Sequence, residues 1–245
     1  MECVELGDAT LYQGDARDIL PALGPLDAVL TDPVWPNCPA GLLAGSDDPY
    51  GLWNATMGVL PAVRRMIVIL RTDCDPRFLA TVPAALPFFR SILLPFVMPL
   101  YLGRALGGDE VAYWFGKPTA RADGRILVPG RAPAAQPADR RPNGHPATRA
   151  QKHIDWLVDW SSDADDLVCD PFMGSGCTGI AACKLGRRFI GIEIERRFFD
   201  LACRRIDDAQ RQGDLIIPRT PKSPGPTSAS DPDQSGIEPI EEPAS

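Results

Sequence analysis

The stretch that most constrains the fold of this chain lies at residues 166–195. It opens with a short apolar run, DLVC, typical of a buried strand, and continues into a tight turn that contains two glycines. Small and helix-forming residues run from Cys177 to a stop at Gly186, and a second apolar run, 188–194, places Glu193 near its end. This order predicts a βαβ unit that holds an adenosine-containing cofactor, with Glu193 accepting hydrogen bonds from the ribose hydroxyls.

The glycines of this turn do not form either of two common nucleotide-binding fingerprints. Gly174, Gly176 and Gly179 satisfy the bare Gly-x-Gly-x-x-Gly spacing, but the preceding Asp-Pro-Phe is foreign to the dinucleotide motif. Neither Gly-Lys-Ser nor Gly-Lys-Thr occurs in the chain, which excludes a phosphate-cradling P-loop. Taken alone, the glycine pattern leaves an ordinary strand-to-helix turn as the alternative.

The segment DPFMGSGCTG, followed by KLGRRFIGIEIE, resembles the S-adenosylmethionine motif of amino-group (N6-adenine/N4-cytosine) DNA methyltransferases. It is most similar to the subgroup whose catalytic motif precedes the cofactor motif, and the resemblance covers roughly residues 9–207. It implies a doubly wound, circularly permuted α/β methyltransferase fold, Rossmann-like, with a mixed sheet that includes an antiparallel hairpin strand. The resemblance assigns cofactor contacts in this unit to Asp170, Phe172, Gly174, Ser175, Gly176 and Glu193.

That motif order requires a catalytic tetrapeptide near the N-terminus, and Asp32-Pro33-Val34-Trp35 follows a predicted strand at 26–31. An exocyclic amine of adenine or cytosine is a poor nucleophile because its lone pair is delocalised into the ring. Hydrogen bonds to the Asp32 carboxylate and the Pro33 carbonyl favour a more tetrahedral nitrogen, which then needs positioning against the sulfonium methyl. Trp35 offers a flat face on which a flipped base stacks. We therefore expect Asp32, Pro33 and Trp35 to carry the catalysis.

The composition of the tetrapeptide bears on the substrate. Val34 stands where the family usually has proline, which lowers backbone rigidity but leaves the Pro33 carbonyl in place. Asp at the first position favours adenine N6, because the cytosine-N4 enzymes of the family usually carry Ser there. No Pro-Cys dipeptide occurs, which excludes methylation of a cytosine ring carbon. The resemblance thus implies a site-specific adenine-N6 DNA methyltransferase, with a cytosine-N4 enzyme as the alternative.

Three further residues are assigned to the cofactor by the resemblance. Asp15 is expected near the adenine amino group of the cofactor, and Asp is also a good helix N-cap, so the two roles are compatible. His145 and Pro146 open HPATRA, which is similar to the family's His-Pro-Thr-Gln/Glu-Lys-Pro motif beside the methionine moiety. Ala147 and Ala150 replace the usual Thr and Pro. A packing or capping role is the alternative for His145.

Double-stranded DNA is the expected partner, although the net charge of the chain is −7. Residues 117–152 carry eight Lys or Arg and two Asp, which makes this stretch basic on an otherwise acidic chain. We predict a basic recognition loop at about residues 116–144, with a solvated flexible loop as the alternative. The candidate DNA-binding residues are Arg121, Arg125, Arg131, Arg140, Arg141 and Arg149.

The composition of the whole chain limits which other classes of protein it resembles. The seven cysteines form no Cys-x-x-Cys pair, so we expect neither a metal site nor a disulfide framework. The longest aliphatic run, 66–70, is too short to span a bilayer, and the N-terminus lacks a secretory signal. We expect a cytoplasmic, DNA-associated protein of a bacterium or a bacteriophage-infected cell, present as a monomer or homodimer.

The rest of the pattern predicts the domain organisation. A methyltransferase domain occupies residues 1–217, and 218–245 form a disordered acidic tail rich in Pro and Ser, which has too little apolar surface to fold. Further strands are predicted at 10–13, 66–70, 91–98 and 111–115, helices at 16–20, 76–85, 151–160 and 198–210, and a loop at 36–60.

Two other function classes stay open at this point. The replacements at Val34, Ala147 and Ala150 are compatible with a catalytically silent module that binds DNA or cofactor. The chemistry of Asp-Pro-x-Trp does not distinguish one polymer from another, so an RNA or protein amino-group methyltransferase is the second alternative.

Overall fold

The fold is built on an eight-stranded mixed sheet. The computed structural model describes residues 2–97, 101–102, 105–106, 109–119, 127–136, 139 and 144–216. The strands of the sheet are β1 (Glu2–Leu6), β2 (Ala9–Gln13), β3 (Leu26–Thr31), β4 (Val63–Arg71), β5 (Phe88–Leu94), β8 (Glu110–Gly116), β9 (Leu167–Asp170) and β10 (Arg188–Glu193); β6 (Tyr101–Leu102) and β7 (Ala105–Leu106) pair separately. The helices are α1 (Ala16–Ile19), α2 (Pro49–Gly58), α3 (Gln151–Ser161), α4 (Cys177–Lys184) and α5 (Arg196–Ile216), with 3₁₀ turns at Leu20–Ala22 and Pro76–Thr81.

The strand order confirms the predicted α/β class. The strands lie in the order β1-β2-β10-β9-β3-β4-β8-β5. The neighbours from β2 through β4 are parallel, whereas β1, β8 and β5 pair in antiparallel fashion. The β5–β8 pair is the antiparallel hairpin that the resemblance implied. Strand β3 comes early in the chain but pairs with β9 of the later βαβ unit, which is the permuted order.

Helices cover both faces of the sheet. Side chains of a central strand alternate between the two faces, so each face has an apolar surface that the helices bury. On β4, Ile67 and Ile69 join the core that packs against α3, α4 and α5. Met66, Val68 and Leu70 point to the opposite face and join the core under α1 and α2. Burial on both faces explains the continuous apolar run of this strand.

The prediction of a loop at 36–60 is wrong for the segment that forms α2. The side chain of Asp48 caps this helix by accepting a hydrogen bond from the Gly51 N–H at 2.9 Å. Pro49 occupies the first turn, where its missing N–H costs no hydrogen bond. The Pro, Asp and Gly residues that suggested a loop are therefore the residues that begin the helix.

Other boundaries differ in smaller ways. The helix predicted at 76–85 is a 3₁₀ turn that ends at Thr81, and the last helix is longer than predicted, Arg196–Ile216. Strand β1, whose side chains are mostly exposed, was not predicted. The predicted tail at 218–245 lies outside the described residues. In the part of the chain that the structure describes, every helix is too short or too polar to cross a membrane.

Candidate active site

Four carboxylates stand in a row at one edge of the sheet. The row follows four adjacent parallel strands: Asp15 after β2, Glu193 at the end of β10, Asp170 at the end of β9 and Asp32 after β3. The carboxyl ends of parallel strands meet at the same edge, where open α/β sheets bind their ligands. All four side chains line one pocket of about 1050 Å³, a volume that includes its open mouth. The structure thus brings the predicted cofactor and catalytic acids together.

The turn after β9 has the backbone that its glycines predict. Gly174 has a φ of +53° and Gly176 a φ of +80°, conformations that other residues adopt only with strain. A Cβ atom at Gly176 would also lie 3.0 Å from the Cβ of Ala202 on α5. The turn lines the pocket through Phe172, Gly174 and Ser175, whereas Gly176 lies behind it as the N-cap of α4.

Glu193 is a buried acid held by two backbone donors. Its carboxylate accepts hydrogen bonds from the Gly174 N–H and the Glu195 N–H, each at 2.8 Å. Burial raises the pKa of Glu193 to about 7, and the two backbone hydrogen bonds limit that rise. A carboxylate in this position can accept hydrogen bonds from a diol that enters the pocket.

Asp170 supports the turn from beneath. Its carboxylate accepts hydrogen bonds from the hydroxyls of Thr31 and Thr178, both at 2.8 Å, and from the Phe172 N–H at 3.1 Å. Burial raises the pKa of Asp170 to about 6, although these three donors favour the charged form. Asp170 therefore joins β3, the turn and α4, besides lining the pocket.

Asp15 and His145 line the pocket, but Pro146 does not. Asp15 caps α1 by accepting from the Arg17 N–H at 2.9 Å, and the Arg17 side chain lowers its pKa. His145 packs against Phe198 with ring centroids 4.2 Å apart, and burial lowers its pKa to about 4, so the imidazole is neutral. Pro146 is exposed and lies outside the lining of the pocket.

The tetrapeptide after β3 forms the other end of the pocket. Asp32, Val34 and Trp35 line it, whereas Pro33 is buried outside the lining. Trp35 is 5% exposed, which is less than a freely presented stacking face would show. Its indole N–H has no hydrogen-bond partner among the described residues, so its contacts are those of an apolar ring.

Arg149 corrects a prediction, because it does not belong to an exposed DNA-binding surface. The side chain is buried and lines the pocket, where it forms ion pairs with Asp32 and Glu110. Sequence reasoning missed Glu110, whose signal was an acidic residue at the start of an apolar strand. Arg131 is exposed beside β5, and Arg121, Arg125, Arg140 and Arg141 lie outside the described residues.

The segment between the tetrapeptide and α2 also reaches the pocket. Leu43, Ala44 and Gly45 line it, and the Ala44 N–H donates to the Glu195 carboxylate at 3.1 Å. This contact joins the segment to the residues that follow β10. The sequence analysis predicted only a loop here and did not identify these contacts.

The chain is similar to known proteins in sequence and in fold. The family model described as a DNA methylase, N6_N4_Mtase, matches residues 47–204. That range includes HPATRA and the whole βαβ unit but begins after the tetrapeptide. Among curated relatives, a type II methyltransferase, M2.DpnII of Streptococcus pneumoniae, is 38% identical over 63 residues, 26% of this chain and 24% of the relative. M2.MboI of Moraxella bovis is 40% identical over 78 residues, 32% of this chain and 29% of the relative. The matched stretch thus spans less than a third of either relative's length.

Solved structures are similar in fold. The M1.HpyAVI–SAM complex superposes with a TM-score of 0.61 at 22% identity, covering 81% of this chain and 99% of that one. The PvuII DNA methyltransferase, described as cytosine-N4-specific, has a TM-score of 0.59 at 17% identity and covers 85% of this chain and 93% of that one. The matched family model covers more than half of this chain, and the fold is that of solved DNA methyltransferases. The chain therefore belongs to the N6/N4 DNA methylase family.

Proposed function

We propose that this protein transfers a methyl group from S-adenosylmethionine to the exocyclic amine of a flipped DNA base, adenine N6. The observation that carries the proposal is the carboxylate row, which puts Asp32 and Glu193 in one pocket at the ends of parallel strands. One end of the pocket has acceptors for a nucleoside cofactor, and the other has an acceptor and an aromatic ring for the target base.

The residues of the pocket fit S-adenosylmethionine. Glu193 is a buried acceptor for the ribose hydroxyls, and Asp15 lies at the next strand end, where it can accept from the adenine amino group. The glycine turn has no side chain at Gly174 to hold a ligand away from the backbone. His145 beside it is neutral and so adds no charge next to a cationic sulfonium. When bound, this cofactor supplies an electrophilic methyl group.

The residues around Asp32 prepare the amine. Asp32 accepts an N–H of the target amine, which turns the nitrogen lone pair toward the methyl group. Trp35 contacts the base through its apolar ring. Since the amine itself attacks, the protein needs no nucleophile, and its main contribution is to align two reactants.

The experiment that tests this function identifies the methylated base. DNA from a methylation-free host that expresses the protein is digested to nucleosides and analysed by mass spectrometry. We expect N6-methyladenine above the level of a host that expresses Asp32→Ala. N4-methylcytosine would overturn the choice of adenine, which rests on Asp at the first position of the tetrapeptide. DNA without either base would overturn the proposed function.

A competition assay tests which polymer accepts the methyl group. Labelled cofactor is offered to the protein with double-stranded DNA, RNA and a protein mixture together, and we expect the label in DNA. Label in RNA or protein would assign the pocket to another amino-group acceptor.

A further inference from the structure

A row of three charged side chains runs from the target-base end of the pocket into the core. Arg149 donates from Nε and Nη2 to the two carboxylate oxygens of Asp32, a side-on pair of hydrogen bonds. From Nη1 it donates to Oε1 of Glu110 at 2.7 Å. The three residues come from three places in the fold, namely the end of β3, the segment before α3 and the start of β8. The proposed methyl transfer uses Asp32 but gives Arg149 and Glu110 no role.

The exposed fraction of the three side chains falls from Asp32 through Arg149 to Glu110. Asp32 is 20% exposed, Arg149 is 9% exposed and Glu110 is 1% exposed. Asp32 and Arg149 both line the pocket, whereas Glu110 lies in the core. The Arg149 guanidinium also lies 6.0 Å from the ring centre of Trp35, so it is adjacent to both side chains expected to contact the base.

The charges match this geometry. Burial by itself lowers the pKa of Arg149, but the neighbouring Asp32 and Glu110 carboxylates reverse that effect and leave the pKa raised. The Arg149 guanidinium therefore stays cationic at neutral pH. A guanidinium presents its donors in a rigid planar fork, which lysine cannot replace. One face of that fork holds both oxygens of Asp32 while the remaining nitrogen is held by Glu110.

Two hydrogen bonds from Arg149 do not saturate Asp32. An ionised carboxylate has about four lone-pair sites, two on each oxygen, and the side-on pair uses one on each. The guanidinium by itself therefore leaves other acceptor sites on the same two oxygens. Arg149 therefore restricts the orientation of Asp32 without blocking the acceptor.

We propose that Arg149, anchored by Glu110, is a positioning residue that holds the Asp32 carboxylate in the orientation in which it accepts from the target amine. This inference rests on the proposed function, because it assigns a purpose to the orientation of Asp32. It replaces the predicted contact between Arg149 and DNA phosphate with a role inside the active site.

The test needs a variant that removes the support without leaving a buried charge. Arg149→Met alone would leave Glu110 buried without its cation, which destabilises a protein whatever the role of the pair. The double variant Arg149→Met/Glu110→Gln removes both charges. Its matched control is Arg65→Met/Asp166→Asn, a second buried pair, with an N–O distance of 3.0 Å, that does not line the pocket.

Single-turnover methylation of genomic DNA from a methylation-free host is measured for each full-length protein. For the Arg149/Glu110 variant we expect a rate about 10–100-fold below wild type, the usual effect of losing the support of a functional group. The KM for DNA and the affinity for S-adenosylhomocysteine should stay unchanged, which a general loss of structure would not allow. The Arg65/Asp166 variant should keep the wild-type rate. Arg149→Lys keeps the charge but not the fork, and its rate should also fall at least about tenfold.

Three outcomes overturn the inference. The first is an Arg149/Glu110 variant whose rate lies within about threefold of wild type, on a scale where supporting groups contribute 10–100-fold. If that variant does not fold, an Arg149→Lys protein with the wild-type rate overturns it instead. These two results leave the proposed function intact, because wild type is active in both. A wild-type protein that methylates no DNA overturns the function and the inference together.

Discussion

Thr31 donates a hydrogen bond to Asp170 at 2.8 Å, between two buried side chains that are 139 residues apart in the chain. Thr31 ends β3, directly before the tetrapeptide that begins at Asp32, and Asp170 ends β9, where the glycine turn begins. The bond therefore joins the end of the pocket that would hold the base to the end that would hold the methyl donor. A methyl transfer depends on this distance, since misplacement of the reactants lowers the rate steeply.

Thr31→Val tests that connection. Valine keeps the shape of the side chain, but Asp170 loses one of its three donors, and a hydrogen bond to a charged group contributes about 1.5–3 kcal/mol. We expect a lower free energy of unfolding and a lower Tm, by about 2–4 °C per kcal/mol, in thermal melts of the ligand-free protein. The control is Thr81→Val, whose hydroxyl makes an exposed hydrogen bond to Asn54. Equal melting temperatures for the two variants would contradict the role of Thr31.

The raised pKa of Glu193 predicts that stability falls as the pH rises. The folded-state pKa is about 7, above the ordinary value of 4.5, because the charged form is buried. The folded state therefore binds the proton more tightly than the unfolded state. Its stabilising effect is complete below about pH 4.5 and is lost as the pH rises through 7. We expect the Tm of the ligand-free protein to fall over this window, and less so in Glu193→Gln.

Cofactor affinity should change in the opposite direction over the same window. The ionised carboxylate of Glu193 is the stronger acceptor for ribose hydroxyls, so binding of S-adenosylhomocysteine should tighten by about tenfold from pH 6 to pH 8. Isothermal titration at both pH values measures this change. Glu193→Gln should bind more weakly at pH 8, with little pH dependence. A wild-type affinity that is equal at both pH values would remove Glu193 from the cofactor site.

Asp32→Ala should separate binding from chemistry. Asp15, the glycine turn and Glu193 remain, so the affinity for S-adenosylhomocysteine should stay within a few-fold of wild type. Methyl transfer should fall at least about a hundredfold, which is the usual effect of losing a well-placed polar group at a reacting centre. The exposed Asp208 on α5 provides the control, and Asp208→Ala should match wild type in both assays. An Asp32→Ala protein with a wild-type rate would show that another group orients the amine.

Trp35 should tolerate another aromatic ring. Its indole N–H makes no hydrogen bond within the described residues, so Trp35→Phe loses contact area but no polar partner. We expect Trp35→Phe to keep most of the methyl-transfer activity. Trp35→Ala should weaken base capture by about 1–3 kcal/mol and also lower the Tm, because the ring is buried. Fluorescence of 2-aminopurine at the target adenine reports base capture, and an unchanged signal in Trp35→Ala would argue against stacking.

The prediction for the basic segment rests on the sequence alone, because Arg140 and Arg141 lie outside the described residues. If Arg140 and Arg141 contact phosphates, their joint replacement by alanine should reduce the slope of log affinity against log salt by about 0.9 for each contact. Arg204 and Arg211, exposed on α5, provide the control pair. Filter binding across a range of salt concentrations measures the slope. Identical slopes for the two double variants would mean that Arg140 and Arg141 do not contact the backbone of DNA.

Local patterns in the sequence were sufficient to predict the strands, the turn and the helix that hold this site. The βαβ unit follows from an apolar run, a glycine turn and a second apolar run, each of which specifies its own backbone through nearby residues. The tetrapeptide at Asp32 was placed correctly at the end of a strand for the same reason. Helix α2 also had a local signal, Asp48 followed by Pro49, but the surrounding loop-forming residues concealed it.

Arg149 shows what the tertiary structure decided. In the sequence it is one of eight basic residues in a charged stretch, which suggested an exposed surface. In the fold it is buried against Asp32 and Glu110, which are 117 and 39 residues away in the chain. Burying a cation is costly unless acceptors compensate its charge, and the two carboxylates that do so for Arg149 are brought together by the pairing of β3, β4 and β8. The sequence determined which residues could form the site, and the packing of distant strands determined which arginine lies inside it.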